Sequence, residues 1–222
     1  MGYKEEFIKF MVRANVLRFG DFTAKSGRKT PYFINAGNYQ TGEHIAELGD
    51  FYAAAIVANR VKDYDLLFGP AYKGIPLAVA AAISLYRNHQ INVPYSFNRK
   101  EAKDHGEGGL LVGYQPKDDD RVLIIEDVIT AGTAVRESLT LLQKMAKVKV
   151  TTLVVSVDRM EKGTGNRSAL QELREDYGVE THAIVTILDI VRYLFNREID
   201  GKVVLNANLK QQIEAYLSVY GC

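Results

Sequence analysis

Two adjacent carboxylates, Glu126 and Asp127, stand at the end of an unbroken aliphatic run, residues 122–125. After Val128 and Ile129 comes a small, hydroxyl-bearing stretch, Thr130-Ala131-Gly132-Thr133-Ala134. The aliphatic run predicts a strand buried on both faces of a parallel sheet. Val135, Leu139, Leu142 and Ala146, at spacings of four, three and four, predict a helix directly after the small residues. Strand, acids, small loop and helix form a layout for a sugar phosphate. The first N–H groups of a helix lack partners and attract a phosphate, and paired carboxylates accept hydrogen bonds from neighbouring sugar hydroxyls. The plain alternative is an ordinary strand–helix unit with an acidic turn. Against it, the small residues fall only where a phosphate would sit. The GxxxxGK[ST] loop is absent, and Gly106 and Gly108 begin a GxGxxG that Leu111 breaks, so ATP and dinucleotide sites lose their usual support.

Three further clusters are rich in cations and glycine. Phe68-Gly69-Pro70-Ala71-Tyr72-Lys73-Gly74-Ile75-Pro76 ends one predicted strand and begins a helix. The helix dipole does not favour Lys73 at that position, so an anion between it and the backbone N–H groups would explain it better than a solvated turn does. Residues 98–109, NRKEAKDHGEGG, set Arg99, Lys100, Lys103 and His105 among three acids and end in glycines. The segment is either a solvated charged turn or a mobile loop whose cations face a diphosphate. Residues 25–37 carry Lys25, Arg28 and Lys29 before Tyr32, Phe33 and Ile34, a pattern that also fits a plain β-hairpin with a basic tip. Finally, Arg159 follows a Val- and Thr-rich run, residues 151–157, where its guanidinium could fork onto a ligand carboxylate or contact Asp158.

The elements that must position these residues alternate in type. Helices are predicted over residues 5–16, 43–59, 75–87, 168–177, 189–196 and 206–219, besides the one after Thr133. Strands are predicted over 65–69, 93–97, 122–125, 151–157 and 181–187. Residues 19–38 should form short strands and turns, and residues 98–109 a long loop. The alternation argues for an α/β fold, a doubly wound, mostly parallel sheet. In such sheets ligands sit beyond the carboxyl ends of the strands, where every cluster above is expected.

Bulk properties narrow the field. At 222 residues and 47% apolar content the chain suits one large domain with a sizeable core. A net charge of +1 offers no global attraction to nucleic acid or to an anionic membrane. The single cysteine, Cys222, permits no intrachain disulfide, which fits a reducing compartment. The longest apolar stretch is too short to span a bilayer, and the N-terminus lacks signal-peptide character. The expectation is a soluble cytoplasmic protein.

The Glu126-Asp127-(apolar)2-TAGTA pattern resembles the phosphoribosyl diphosphate signature of the type I phosphoribosyltransferases. The stretch from Phe68 to Pro76 resembles the pyrophosphate loop of that superfamily, in which the peptide before the residue matching Tyr72 is often cis. Residues 98–109 resemble the catalytic loop of the orotate phosphoribosyltransferases, and residues 25–37 resemble the hood that covers the pyrimidine there. Ile34 departs from the resemblance, since that family usually has a second aromatic at its position. The likeness extends from about Phe7 to Leu194 with its motifs in order.

The resemblance implies a type I phosphoribosyltransferase fold, one domain over residues 1–222, with residues 19–40 in a small N-terminal hood. It implies transfer of phosphoribose from phosphoribosyl diphosphate to orotate. Residues 126–134 (Glu126, Asp127, Val128, Ile129, Thr130, Ala131, Gly132, Thr133, Ala134) would bind the ribose hydroxyls and the 5′-phosphate. Lys73, Arg99, Lys100, Lys103 and His105 would neutralise the leaving diphosphate, with Lys25 as a further phosphate contact. Tyr72, Phe33 and Ile34 would line the substrates, and Arg159 would hold the carboxylate of orotate. Mg²⁺ is expected, held through substrate and water without direct protein ligands, in a homodimer with shared sites. Transfer to a purine is opposed by Arg159 and the hood. A regulator without turnover is opposed by Lys103 and His105 and by the lack of a nucleic-acid-binding part. A metal hydrolase is opposed by the scatter of His44, His89, His105 and His182.

Overall fold

The computed structural model describes residues 2–24, 27–103, 109–129, 132–163 and 165–222. Among the described residues a six-stranded sheet forms the centre, in the order β5-β4-β3-β6-β7-β8. Its strands are β3 (Leu66–Gly69), β4 (Tyr95–Lys103), β5 (Gly109–Gly113), β6 (Arg121–Val128), β7 (Lys149–Asp158) and β8 (Glu180–Thr186). All neighbours run parallel except β4 and β5. The order reverses direction between β3 and β6, so the crevice beyond their carboxyl ends is the switch point where α/β sheets bind ligands.

Alternation along the strands explains the layering. Leu67, Leu123, Ile125 and Val154 point to one face. There they meet α1 (Tyr3–Arg13), α2 (Gly42–Ala58), α3 (Gly74–His89), α6 (Ile187–Leu194) and α7 (Ala207–Tyr220). Leu66, Phe68, Val122, Ile124, Leu153 and Val155 point to the other face, against α4 (Thr133–Met145) and α5 (Ala169–Tyr177). With both faces covered, continuous aliphatic runs are the strand pattern that folds. The doubly wound α/β class expected from the sequence is the one observed.

Two expectations need correction. Residues 98–109 are not one long loop. β4 continues to Lys103, and β5 returns antiparallel with Lys103 opposite Gly109, across a register irregularity after Asn98. The pair lies at the sheet edge, where charged side chains can project into solvent without breaking the ladder, so its composition resembled a loop's. The second correction concerns β6. It does not stop at Ile125, because Glu126 pairs with Val155 and Val128 with Val157. The acids therefore belong to the strand and are buried, with Glu126 8% and Asp127 7% exposed.

The N-terminal segment forms a separate antiparallel pair, β1 (Leu17–Thr23) and β2 (Lys29–Ile34), with a bulge between Phe19 and Phe22. Tyr32 of β2 packs edge-on against Tyr216 of α7. A short pair that the sequence did not announce, β9 (Glu198–Ile199) and β10 (Lys202–Val203), precedes α7. No helix among the described residues is long and apolar enough to cross a membrane.

The join of β3 to α3 is tight. A Cβ on Gly69 would lie 2.2 Å from the Gly74 carbonyl oxygen and 2.9 Å from the Ala78 Cβ. Gly69→Ala is therefore expected to cost about 2–3 kcal/mol through overpacking against backbone. That corresponds to a Tm lowered by roughly 5–10 °C in thermal unfolding followed by circular dichroism.

Candidate active site

The acid pair at the end of β6 is held from three sides. β3 pairs with β6 only as far as Ile124, so the carbonyls beyond that point need other donors. The Tyr52 hydroxyl of α2 donates to the Glu126 carbonyl at 2.7 Å, and Ser156 Oγ of β7 donates to the Asp127 carbonyl at 2.7 Å. The Asp127 carboxylate receives the Lys73 ammonium at 2.6 Å. Lys73 stands at the start of α3, so the loop after β3 and the end of β6 meet through this ion pair across the switch point.

Glu126 is held differently. Its Oε2 atom is buried without a hydrogen-bond partner among the described residues. Burial, reinforced by the adjacent Asp127, pushes its carboxyl up to about 8. A buried acceptor oxygen beside a charged carboxylate is equipped to take a hydroxyl from a ligand. A cavity of about 100 Å³ borders Asp127, lined also by Tyr39, Tyr52, Lys73, Leu77 and Ser156.

The start of α4 follows β6 directly. Gly132 precedes it in the left-handed region, φ 70°, which glycine enters freely. Among the described residues no side chain caps its first N–H groups. Thr41, Ser168, Thr186 and Asn206 cap α2, α5, α6 and α7. α4, which begins at the switch point, lacks such a cap and keeps its first N–H groups available for an anion, whereas at the start of α3 the Gly74 N–H already donates to the Pro70 carbonyl at 2.9 Å.

The loop between β3 and α3 has a cis peptide between Ala71 and Tyr72, as the superfamily resemblance implied. The Ala71 N–H donates to Asn98 Oδ1 of β4 at 2.8 Å, and Tyr72 is 71% exposed. Arg99 and Lys100 border a cleft of about 210 Å³ together with Pro70, Ala71 and Ala134, so the charged arm, the β3 loop and the start of α4 share one opening. Arg99 Nη1 also donates to the Gly109 carbonyl at 3.2 Å. Lys25, His105, Thr130 and Ala131 lie outside the described residues, as does the side chain of Lys103.

Arg159, two residues past β7's Val157, pairs with Glu161 rather than with Asp158, whose Oδ1 accepts the Met160 N–H. Its Nε and Nη2 donate to Glu161 Oε1 at 3.0 and 2.7 Å, and its guanidinium lies 5.0 Å from the Tyr32 ring centroid. Phe33 stacks on Phe22 with ring centroids 5.5 Å apart. Ile34 packs against the apolar core.

The sequence reading gave no site role to Tyr52, Ser156, Asn98, Arg28 or Glu161. The first three act through side-chain hydrogen bonds with backbone atoms, which no residue spacing announces. Glu161, two positions after Arg159, carried a signal only if a turn folds it back.

Residues 35–182 match the family model "Phosphoribosyl transferase domain". The orotate phosphoribosyltransferase of Clostridium beijerinckii is 53% identical over 219 residues, covering 99% of this chain and 98% of the relative. That of Vibrio cholerae is 49% identical, with 99% and 98% covered. The crystal structure of the Francisella tularensis orotate phosphoribosyltransferase superposes with a TM-score of 0.85 at 38% identity, covering 98% of this chain and all of the other.

The raised carboxyl of Glu126 has a consequence for stability. A group raised in the folded state contributes stability that is fully present below its unfolded value of 4.5 and lost as pH rises through about 8. Glu126→Gln keeps a neutral side chain at every pH. Its Tm relative to the parent protein should rise steadily between acid and alkaline pH, and a pH-independent difference would contradict the raised carboxyl.

Proposed function

The chain belongs to the orotate phosphoribosyltransferases and transfers phosphoribose from phosphoribosyl diphosphate to orotate, releasing orotidine 5′-phosphate and diphosphate, and we propose the following division of work among its residues. The observation that carries the proposal is the buried acid pair of β6, one of whose oxygens lacks a donor among the described residues, directly before the uncapped start of α4. Glu126 and Asp127 accept the ribose hydroxyls. Residues 130–134 and the first N–H groups of α4 hold the 5′-phosphate, with Val128 and Ile129 leading the backbone into that turn.

The difficult event is loss of an anionic leaving group from C1 of the ribose, with positive charge growing on the sugar as in glycoside chemistry. Orotate is itself the nucleophile, so the protein's work is alignment and charge stabilisation. Lys73, Arg99, Lys100, Lys103 and His105 neutralise the departing diphosphate, and Lys25 adds a phosphate contact. Tyr72 lines the diphosphate side of the site. Arg159 takes the orotate carboxylate, while Phe33 and the backbone at Ile34 cover the ring. The residues fit Mg²⁺ carried in on the diphosphate: the unpartnered oxygen of Glu126 can accept from a ribose hydroxyl or a metal-bound water. Bound there, the ion would neutralise charge on the diphosphate and ribose oxygens. Closure of the arm formed by β4 and β5 would exclude water that competes for C1.

We assign residues 19–40 to a hood on a single domain, residues 1–222, working in the cytoplasm as a homodimer. Ile83 and Tyr86, 50% and 61% exposed on one face of α3, together with exposed Tyr72 and Tyr95, support an apolar contact with a second copy.

Loss of orotate absorbance with phosphoribosyl diphosphate and Mg²⁺ tests the reaction, and diphosphate release independent of orotate would contradict it. Asp127→Ala is expected to lower kcat/KM by about 100-fold or more. Mixing inactive Asp127→Ala and Lys103→Ala proteins should restore part of the activity if the arm serves the neighbour's site. No recovery after verified subunit exchange would refute shared sites.

A further inference from the structure

We propose that Glu161 is a positioning residue that aims Arg159 at the carboxylate of the acceptor. The inference rests on the role assigned to Arg159 above. A guanidinium offers two forks, one from Nε and Nη2 and one from Nη1 and Nη2. Glu161 Oε1 takes the Nε and Nη2 fork, at 3.0 and 2.7 Å. Among the described residues nothing accepts from Nη1, so the remaining fork is the one left for a planar carboxylate.

Glu161 is itself held from several directions. Its Oε1 also accepts the Tyr32 hydroxyl at 2.6 Å, and its Oε2 accepts Arg28 Nη2 at 2.5 Å. Met160, at φ 51°, turns the chain so that Glu161 folds back onto Arg159. The end of the chain fixes that turn: Glu161 bridges to Gly221, the Lys162 N–H donates to the Tyr220 carbonyl, and the Cys222 N–H donates to the Met160 carbonyl. The side chains of Glu161 and Arg159 are 7% and 13% exposed, so the pair is shielded from solvent and fixed in geometry.

Charge also matches the ligand. Arg28 and Arg159 with Glu161 sum to a single positive charge, which complements one carboxylate. Without the Glu161 charge, the two guanidiniums that donate to it would lose their shared counter-charge, and Arg159 would lose the partner that sets its plane. Glu161 thus serves acceptor selection without touching the acceptor.

The test is steady-state kinetics on Glu161→Gln, with each substrate varied in turn. The KM for orotate should rise about tenfold, while the KM for phosphoribosyl diphosphate stays within about twofold. Preference for orotate over uracil, which lacks the carboxylate, should fall by a similar factor. In an Arg159→Ala background the same substitution should add less than about twofold, because it acts through that arginine. Tyr32→Phe, which removes one donor to the same oxygen, should shift the orotate KM in the same direction by about threefold and serves where Glu161→Gln does not fold. Equal shifts in both KM values, an unchanged orotate KM, or an undiminished effect without Arg159 would overturn the role of Glu161. A parent protein that fails to consume orotate would instead remove the reading beneath it.

Discussion

Keeping two carboxylates at the end of a strand that is otherwise apolar and covered on both faces is the constraint around which the structure is arranged. A buried charge is costly unless it is paired or neutralised, and Glu126 and Asp127 meet that requirement in different ways. Asp127 draws Lys73 across the switch point from the loop after β3. Glu126, with an oxygen that has no donor among the described residues, holds its proton to higher pH than an ordinary carboxyl. Their carbonyls, beyond the reach of β3, take donors from α2 and β7. A single pair of residues therefore ties together β3, β6, β7, α2 and α3, and the sugar-binding end proposed for the site is built from that placement.

The fold was legible because its strands are buried on both faces, and such strands appear as unbroken aliphatic runs between amphipathic helices. Where burial was one-sided or absent, composition misled. The arm of β4 and β5 carries its charges at a sheet edge, where the backbone pairs but the side chains do not need the core. The end of β6 was placed too early because two acids ordinarily mark the exit of a strand, whereas here the ladder to β7 carries them inward. Among the proposed site residues, those assigned through side-chain type stood out in the sequence: Glu126, Asp127, Lys73 and Arg159. Those that act by orienting others, such as Tyr52, Ser156 and Glu161, depend on which elements touch, and a single sequence does not encode that in any local pattern.

The two main ion pairs of the site differ in a way that matches the chemistry proposed for them. The Lys73 side chain is 63% exposed, while that of its partner Asp127 is buried. A lysine ammonium on a flexible stem, mostly in solvent, exchanges partners at small cost. Such a cation suits a diphosphate that must arrive, gain charge and leave. Arg159 and Glu161 are both shielded, the guanidinium is planar and forked, and a second arginine and a tyrosine hold the carboxylate in place. A fixed cation of this kind suits an acceptor whose carboxylate keeps the same charge before, during and after transfer. The group that changes charge meets movable partners, and the group that does not meets rigid ones. In the proposed roles, that division lets diphosphate leave without loosening the contact that selects the acceptor.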